Sequence, residues 1–237
     1  MVDLKAKPFE LTDAEIRWVE DTLASMTDDE KLSQLFVLLK GVPGADEAQI
    51  QALMESARPG GMRWQGGDKE TVFRQNTLFQ RYSRIPVFIA GNCDDGGNGV
   101  LPKEGTFVAT AAEAGASEGT ETAYRIGYVA GKEAAAIGVN WMFNPVADVY
   151  RNWRNTIVNN RSFGSDPEKV TACVRAYIRG IKDAAPNMAC TCKHFPGDEE
   201  ASWRRFREEI LPLFLAGKYG PAEEAKYYGQ LKTTLGS

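Results

Sequence analysis

The feature that most constrains the fold is an alternation of short apolar runs with longer amphipathic stretches. Five runs have the length and apolar content of β-strands, namely residues 35–39, 61–64, 86–90, 139–143 and 189–195. Four stretches have the apolar spacing of helices, namely residues 46–57, 69–82, 120–137 and 167–184. Strand followed by helix, repeated in this way, predicts an α/β fold with a parallel sheet. The first run, LFVLL, is apolar throughout, which predicts a strand buried on both faces.

The polar segments after the strands favour one kind of parallel sheet over another. Three of the predicted strands run directly into polar loops, which contain Asn92, Asp94 and Asp95, then Asn144 and Asp148, then Lys193, His194 and Asp198. Ligand-binding groups at the ends of several strands are typical of a (β/α)8 barrel, the TIM barrel, whereas an open sheet gathers them at one switch point. We therefore predict a TIM-barrel-like fold.

The number of strands predicts only part of such a barrel. A complete barrel has eight strand–helix units, whereas this sequence shows about five, followed by two amphipathic stretches at 203–215 and 221–231. We expect three regions: a helical lead-in at residues 1–30, a partial barrel at 31–200 and a helical tail at 201–237.

Composition excludes several classes of function. Lys plus Arg number 28 against 32 for Asp plus Glu, and the net charge is -4, so we expect no nucleic-acid partner. No run approaches the ~18 apolar residues that span a bilayer, and the first 31 residues lack the apolar core of a signal peptide. We therefore expect no membrane partner and a cytoplasmic location, in which the four cysteines are reduced thiols.

The cysteine spacing raises the question of a metal site. Cys190 and Cys192 lie two residues apart on a predicted strand and so share a face with His194, the one histidine of the chain. A structural zinc ion requires four ligands. We therefore expect buried thiols here and no metal.

Two loops carry candidate binding residues. In the segment IAGNCDDGGNGV, Asp94 and Asp95 precede two glycines, which suits close approach of a ligand to the backbone; the alternative is that both aspartates only form the turn. The long segment 143–167 offers Arg151, Arg154 and Arg161, whose planar guanidinium groups can bind hydroxyls or carboxylates. Alternatively, an arginine there braces the loop against acidic neighbours.

A third loop, CKHFPGDE, is the most specific. Lys193 and His194 end an apolar strand, and the Pro-Gly pair then turns the chain towards Asp198. A lone histidine is usually structural, but the adjacent lysine makes a purely structural reading harder to sustain. Because side chains alternate along a strand, one of the two is expected to face the inside of the barrel and the other its rim.

Taken together, these loops resemble the N-terminal barrel domain of glycoside hydrolase family 3, which contains β-glucosidases and β-N-acetylhexosaminidases. The similar segments are NCDDGGNG, GVNWMFNPVADV, RSFGSDP and KHFPGD, in the family's order and spacing between about Leu32 and Asp198. The resemblance implies a retaining β-glycosidase that needs no cofactor and whose partner is a small carbohydrate.

The resemblance also implies roles for individual residues. Asp94, Arg161, Lys193 and His194 would bind the sugar in the subsite next to the scissile bond, and Asp148 would lie beside that site and orient it. Such charged groups suit a neutral polyol, because their hydrogen bonds strengthen as the oxocarbenium-like transition state develops.

The departures from the family concern catalysis. The family's nucleophile is an aspartate on a later strand, and the acid/base of its hexosaminidase branch is a histidine beside an aspartate after the KHFPGD motif. Neither is found in the sequence after that motif, so we assign no catalytic residue. Asp198, Glu199 and Glu200 are weak substitutes, since retaining chemistry needs carboxyl groups on both sides of the bond.

Three hypotheses remain open on the sequence alone. The first is a family-3 glycosidase, either part of a longer gene product or completed by a second chain. The second is an inactive sugar-binding or partner-binding barrel remnant, in which exposed strand edges favour a homo-oligomer or a covering second chain. The third is a fragment that folds poorly alone.

Overall fold

The computed structural model describes residues 2–7, 9–39, 44–152, 155–195, 197, 212 and 216. Its helices are α1 (Asp13–Ser25), α2 (Asp28–Ser33), α3 (Glu47–Ala57), α4 (Lys69–Arg81), α5 (Ala111–Ala116), α6 (Glu121–Ala136) and α7 (Pro167–Ala184). Its strands are β1 (Val37–Leu39), β2 (Gly61–Trp64), β3 (Phe88–Gly91), β4 (Trp141–Met142) and β5 (Ala189–Cys190). The described part of the chain is thus an α/β structure, as predicted.

The strands form one parallel sheet in the order β1-β2-β3-β4-β5. Each strand lies beside the next one in the sequence, as in a TIM barrel, whereas the order reverses at the switch point of an open doubly wound sheet. The predicted partial barrel of about five strand–helix units is therefore confirmed.

The strands are mostly shorter than the apolar runs that predicted them. The fifth shows this most clearly, because the ladder with β4 covers Ala189 and Cys190, and the pairing resumes at an isolated bridge between Val146 and Lys193. Beyond β3, β4 and β5, the described residues continue into the polar loops at the carboxyl edge of the sheet.

The prediction that the first strand is buried on both faces is wrong. Leu35 lies outside β1 and is 78% exposed, while Val37 and Leu39 within it are 39% and 58% exposed. β1 is an edge strand that pairs with β2 alone among the described residues, and Val37 and Leu39, whose side chains leave the same face, are both exposed. The apolar run therefore predicted the strand correctly but not its burial.

The helices begin where the sequence supplies capping residues. Asp46 accepts a hydrogen bond from the Gln49 backbone N–H, and the Gln49 side chain accepts one from the Asp46 backbone, which together form a capping box before α3. Asp166 caps α7 and Pro167 occupies its first turn. These local signals explain why the helix boundaries agree closely with the sequence analysis.

Helices α6 and α7 pack against each other through glycines. A methyl group at Gly127 of α6 would overlap the carbonyl oxygen of Tyr177, and one at Gly180 of α7 would overlap the carbonyl oxygen of Tyr124. The two backbones are therefore in direct contact, which fixes the position of α7 against α6.

The three-region division of the chain stays a prediction. The expected helical tail at 201–237 lies outside the described residues, apart from Pro212 and Ala216. At the other end, α1 falls within the predicted lead-in and α2 runs past residue 30. No described helix combines the length and hydrophobicity that crossing a membrane requires.

The cysteines differ from the sequence analysis in burial. All four are free thiols, and Cys93 and Cys173 are buried. Cys190 is half-buried and Cys192 is exposed, because the chain has already left the β4–β5 ladder at that position. The described residues contain no group of three or more His, Cys, Asp or Glu side chains placed to hold a metal ion.

Candidate functional site

The sheet brings the predicted polar residues together at the carboxyl edge of β3, β4 and β5. Asp94 follows β3, Asp148 follows β4, and Lys193 and His194 follow β5. Arg161 ends a short 3-10 turn, Asn159–Arg161, in the long loop between β4 and α7. All five residues named by the family resemblance thus lie at one edge of the sheet.

Asp94 is the centre of the first cluster. Its Oδ2 accepts hydrogen bonds from Arg161 Nε at 3.3 Å, Arg161 Nη2 at 3.1 Å and Lys193 Nζ at 3.1 Å. The side chains of Asp94 and Lys193 are only 14% and 13% exposed, and that of Arg161 is 26% exposed. One carboxylate oxygen therefore anchors two cations in a largely buried setting, where removal of either partner leaves a costly unpaired charge.

The other oxygen of Asp94 is unsatisfied. Asp94 Oδ1 is buried and has no hydrogen-bond partner in the described part of the chain. A buried acceptor without a donor is uncommon and costs free energy in the absence of a ligand. The cluster is thus arranged to accept a hydrogen bond from a group that enters the site.

Burial shifts two pKa values around this cluster. It lowers the pKa of Lys193, and the Asp94 carboxylate opposes that shift because it stabilises the ammonium. Burial also raises the pKa of Asp95, and the negative charge of Asp94 adds to the increase. Asp95 Oδ1 is a second buried acceptor without a partner among the described residues.

Asp148 and His194 form the second cluster. Asp148 Oδ2 accepts a hydrogen bond from the His194 backbone N–H at 2.9 Å and lies 2.8 Å from His194 Nδ1. The Asp148 side chain is 2% exposed. An ionised carboxylate can only accept, so Nδ1 carries the hydrogen and the ring is held in one orientation. The orienting role implied for Asp148 stays a prediction.

The backbone before Asp94 is held by two buried residues that the sequence analysis did not single out together. Tyr177 Oη donates to the Cys93 carbonyl at 2.5 Å and accepts from Asn144 Nδ2 at 3.0 Å. Asn144 Oδ1 accepts from the Cys93 N–H at 3.1 Å. Strand β3, the loop after β4 and helix α7 are thus joined directly behind the Asp94 cluster.

The backbone after Asp95 is held by Glu133 of α6. The Glu133 carboxylate accepts hydrogen bonds from the Gly97 N–H at 3.0 Å, the Thr106 N–H at 2.9 Å and the Thr106 hydroxyl. A side chain at Gly97 would overlap Glu133, which explains the second glycine of the DDGG motif. One glutamate therefore fixes the turn that carries Asp94 and Asp95.

Sequence reasoning missed Tyr177 and Glu133 because their hydrogen-bond partners are distant in the sequence. Tyr177 follows the apolar spacing of α7 and reads as a core residue, while Glu133 reads as a surface position of α6. The other candidates that the sequence offered, Arg154, Asp198, Glu199 and Glu200, lie outside the described residues.

Comparison with known proteins identifies the family. Residues 27–204 match the model of the family described as "Glycosyl hydrolase family 3 N terminal domain". The chain belongs to glycoside hydrolase family 3. A beta-N-acetylglucosaminidase/beta-glucosidase of Cellulomonas fimi is 36% identical over 198 residues, which cover 84% of this chain and 34% of that protein. Beta-hexosaminidase LpqI of Mycobacterium tuberculosis is 31% identical over 183 residues, which cover 76% of this chain and 45% of LpqI.

Solved structures of the family have the same fold. The beta-glucoside phosphorylase BglX bound to 2FGlc is 35% identical, with a TM-score of 0.75 over 82% of this chain and 34% of that one. The structure of M. tuberculosis LpqI is 29% identical, with a TM-score of 0.60 over 74% of this chain and 50% of that one. The family-3 chain described here therefore spans about a third to a half of the length of these relatives.

Proposed function

We propose that the described part of this family-3 chain binds the sugar ring next to the scissile bond of a β-linked glycoside. In the whole protein, this subsite serves hydrolysis of the O-glycosyl bond. The observation that carries the proposal is the Asp94 cluster, in which Oδ2 holds Arg161 and Lys193 while Oδ1 is buried and unpartnered. Names of similar proteins, a beta-N-acetylglucosaminidase/beta-glucosidase and beta-hexosaminidases, support β-linked glucosides or N-acetylglucosaminides as substrates.

The cluster has the chemistry that a neutral sugar requires. Each hydroxyl of a sugar donates one hydrogen bond and accepts others, so it can donate to Asp94 Oδ1 while it accepts from Arg161 or Lys193. Hydrogen bonds to ionised groups contribute about 1.5–3 kcal/mol each, more than neutral ones. Interactions that strengthen as positive charge develops on the ring accelerate the reaction rather than only tightening binding.

The same residues supply neither the nucleophile nor the acid/base in this proposal. Asp94 is bound by two cations, and Asp148 is buried and bound to His194, so neither carboxylate is free to attack a sugar carbon. A retaining double displacement needs a carboxylate nucleophile on the opposite face of the ring from the departing group. We therefore place both catalytic groups outside the described residues. The alternative is a protein that binds the sugar without turnover.

Phosphorolysis is a second candidate reaction, because BglX, one of the similar solved structures, is a beta-glucoside phosphorylase. Hydrolysis and phosphorolysis use the same sugar subsite and differ in whether water or phosphate accepts the sugar. Turnover that requires added inorganic phosphate would indicate phosphorolysis, and turnover without phosphate would indicate hydrolysis.

The test combines binding and turnover by the whole protein. Calorimetry with methyl β-D-glucoside and methyl N-acetyl-β-D-glucosaminide should detect binding of at least one of them, and Asp94→Asn should weaken that binding about a hundredfold. Release of 4-nitrophenol from the matching aryl glycosides, with and without phosphate, reports the reaction.

A matched control shows whether the effect of Asp94→Asn is specific to the site or follows from the loss of any negative charge. Glu118 is an exposed carboxylate away from the cluster, so Glu118→Gln should bind sugar as the natural protein does. If neither glycoside binds, or if Asp94→Asn binds as tightly as the natural protein, the proposed subsite is wrong. Binding without release of nitrophenol would favour the inactive alternative.

The cytoplasmic location and the homo-oligomer or second chain stay predictions.

A further inference from the structure

Three side-chain atoms share one unusual property among the described residues: each is buried and has no hydrogen-bond partner. They are Asp94 Oδ1, Asp95 Oδ1 and Arg63 Nε. The two acceptors belong to the loop after β3, and the donor belongs to β2, the next strand of the sheet. Unsatisfied buried groups are rare in folded proteins, so their concentration on adjacent strands requires an explanation.

The sheet register shows where Arg63 lies. Arg63 pairs with Ala90 of β3, and Ala90 pairs with Trp141 of β4, so the three side chains leave the same face of the sheet. Alanine leaves space between the two larger residues. Arg63 extends across that space, and its Cζ lies 5.6 Å from the ring centroid of Phe143, which follows β4.

The Arg63 guanidinium is held in place by aromatic rings. It lies over the Phe143 ring at a cation–π distance. The Phe143 ring in turn packs edge-on against Trp141, with 4.6 Å between centroids and 90° between planes. Contact with a ring face uses the flat surface of the guanidinium and leaves its N–H groups available.

The charge of Arg63 reaches the Asp94 cluster. Burial is the main cause that lowers the pKa of Lys193, and the positive charges of Arg161 and Arg63 add to that lowering. Lys193 itself contacts Asp94. Because Phe143 directly follows β4, the Arg63 guanidinium reaches the carboxyl edge of the sheet, where Asp94 and Lys193 also lie.

We propose that Arg63 forms the floor of the sugar subsite and that its Nε–H donates a hydrogen bond to a hydroxyl oxygen of the bound ring. The inference rests on the proposed function and adds a residue that neither the sequence motifs nor the comparisons assign. It also specifies the ligand class. A hydroxyl can accept a hydrogen bond from Arg63 and donate one to the unpartnered Asp94 oxygen. A carboxylate or phosphate at this position would be repelled by the carboxylates of Asp94 and Asp95. The bound ring is therefore a neutral sugar with a free hydroxyl at the floor.

The test measures how much each hydroxyl of the sugar contributes to its affinity. Calorimetry on the whole protein would use methyl β-D-glucoside, its 3-, 4- and 6-deoxy analogues, and methyl β-D-glucuronide. In the natural protein, at least one deoxy analogue should bind about tenfold to a hundredfold more weakly than the parent, as expected for loss of a hydrogen bond to a charged group. Arg63→Met should bind the parent with a similar loss and should no longer discriminate against that analogue.

Two further variants keep the test specific. Arg175→Met removes an exposed arginine of α7 and should bind every sugar as the natural protein does. Arg63→Lys keeps the positive charge but lacks the Nε–H of the guanidinium, so it should share the loss of discrimination. It also serves as the test protein if Arg63→Met fails to fold, which a thermal unfolding curve would show.

Each result bears on the proposal. Loss of discrimination in the Arg63 variants, with binding in Arg175→Met unchanged, supports it. If the Arg63 variants bind every glucoside as the natural protein does while Asp94→Asn does not, the Arg63 inference is wrong and the proposed function stands. Tighter binding of the glucuronide than of the glucoside overturns the neutral ligand class. If the natural protein binds neither these sugars nor methyl N-acetyl-β-D-glucosaminide, the proposed function fails together with the inference.

Discussion

Tyr177 of helix α7 donates its phenolic hydrogen to the main-chain carbonyl of Cys93, the residue directly before Asp94. The same hydroxyl accepts a hydrogen bond from Asn144, which in turn accepts one from the Cys93 N–H. A side chain of α7 thus helps to fix the position of the carboxylate at the edge of the sheet. The site is built as much by these buried supports as by the residues that would touch a ligand.

We expect Tyr177→Phe to lower the free energy of unfolding by about 1–3 kcal/mol, because the Cys93 carbonyl and the Asn144 amide lose a buried partner. Urea titration measures the change, and an unaltered m value would show that the folded state stays equally compact. Tyr128→Phe is the control, since the Tyr128 ring is 39% exposed. Equal stability of the two variants would contradict the prediction.

Glu133→Gln is expected to loosen the turn that carries Asp94 and Asp95. The carboxylate accepts from the Gly97 and Thr106 N–H groups with different oxygens, and an amide offers only one oxygen. Sugar affinity should fall severalfold and the free energy of unfolding by about 1–2 kcal/mol. Calorimetry and urea titration measure the two effects.

A carboxylate on the same helix provides the control for Glu133. Glu121 forms an exposed ion pair with Arg125, a type of contact that contributes little to stability. Glu121→Gln should therefore leave both affinity and stability almost unchanged. The positioning role of Glu133 is refuted if Glu133→Gln behaves in the same way.

Gly127→Ala tests the direct contact of α6 with α7. The added methyl would overlap the carbonyl oxygen of Tyr177, so the helices must separate, and the free energy of unfolding should fall by about 3 kcal/mol. Ala135→Gly on the exposed side of α6 should cost only about 1 kcal/mol, through helix propensity. Thermal unfolding compares the two, and a smaller effect at Gly127 than at Ala135 would disprove the close contact.

Asp95→Asn is expected to change how stability depends on pH. Burial raises the pKa of Asp95 in the folded protein above its ordinary 3.8, so the folded state binds more protons than the unfolded state between the two values. The natural protein therefore loses stability as pH rises through that window, whereas asparagine cannot ionise. The variant should gain stability relative to the natural protein at pH 7 and not at pH 3.

The pH experiment has an internal comparison. Asp166 accepts a hydrogen bond from the backbone N–H of Glu168 at the start of α7, so Asp166→Asn removes a carboxylate that supports the fold. That variant should not gain stability at pH 7. If Asp95→Asn shows the same stability difference at pH 3 and pH 7, the raised pKa of Asp95 is wrong.

The sequence indicated the elements of this fold well where the signals are local. Apolar runs located all five strands, and apolar spacing over residues 167–184 located α7, because periodicity depends on neighbouring residues. The burial of β1 was wrong, because burial depends on what packs against a strand and not on its own residues. Sequential strand order followed from the polar loops, since parallel strands bring their carboxyl ends to one edge.

The sequence by itself determined the fold class, the family and the five polar residues that share one edge of the sheet. Tertiary structure alone decided how they are connected: Asp94 with Arg161 and Lys193, and Asp148 with His194. It also decided which buried atoms lack partners, including Arg63 Nε. The reason is physical, since a motif specifies residue types at short range, whereas hydrogen-bond satisfaction and burial depend on atoms that the fold brings together from distant parts of the chain.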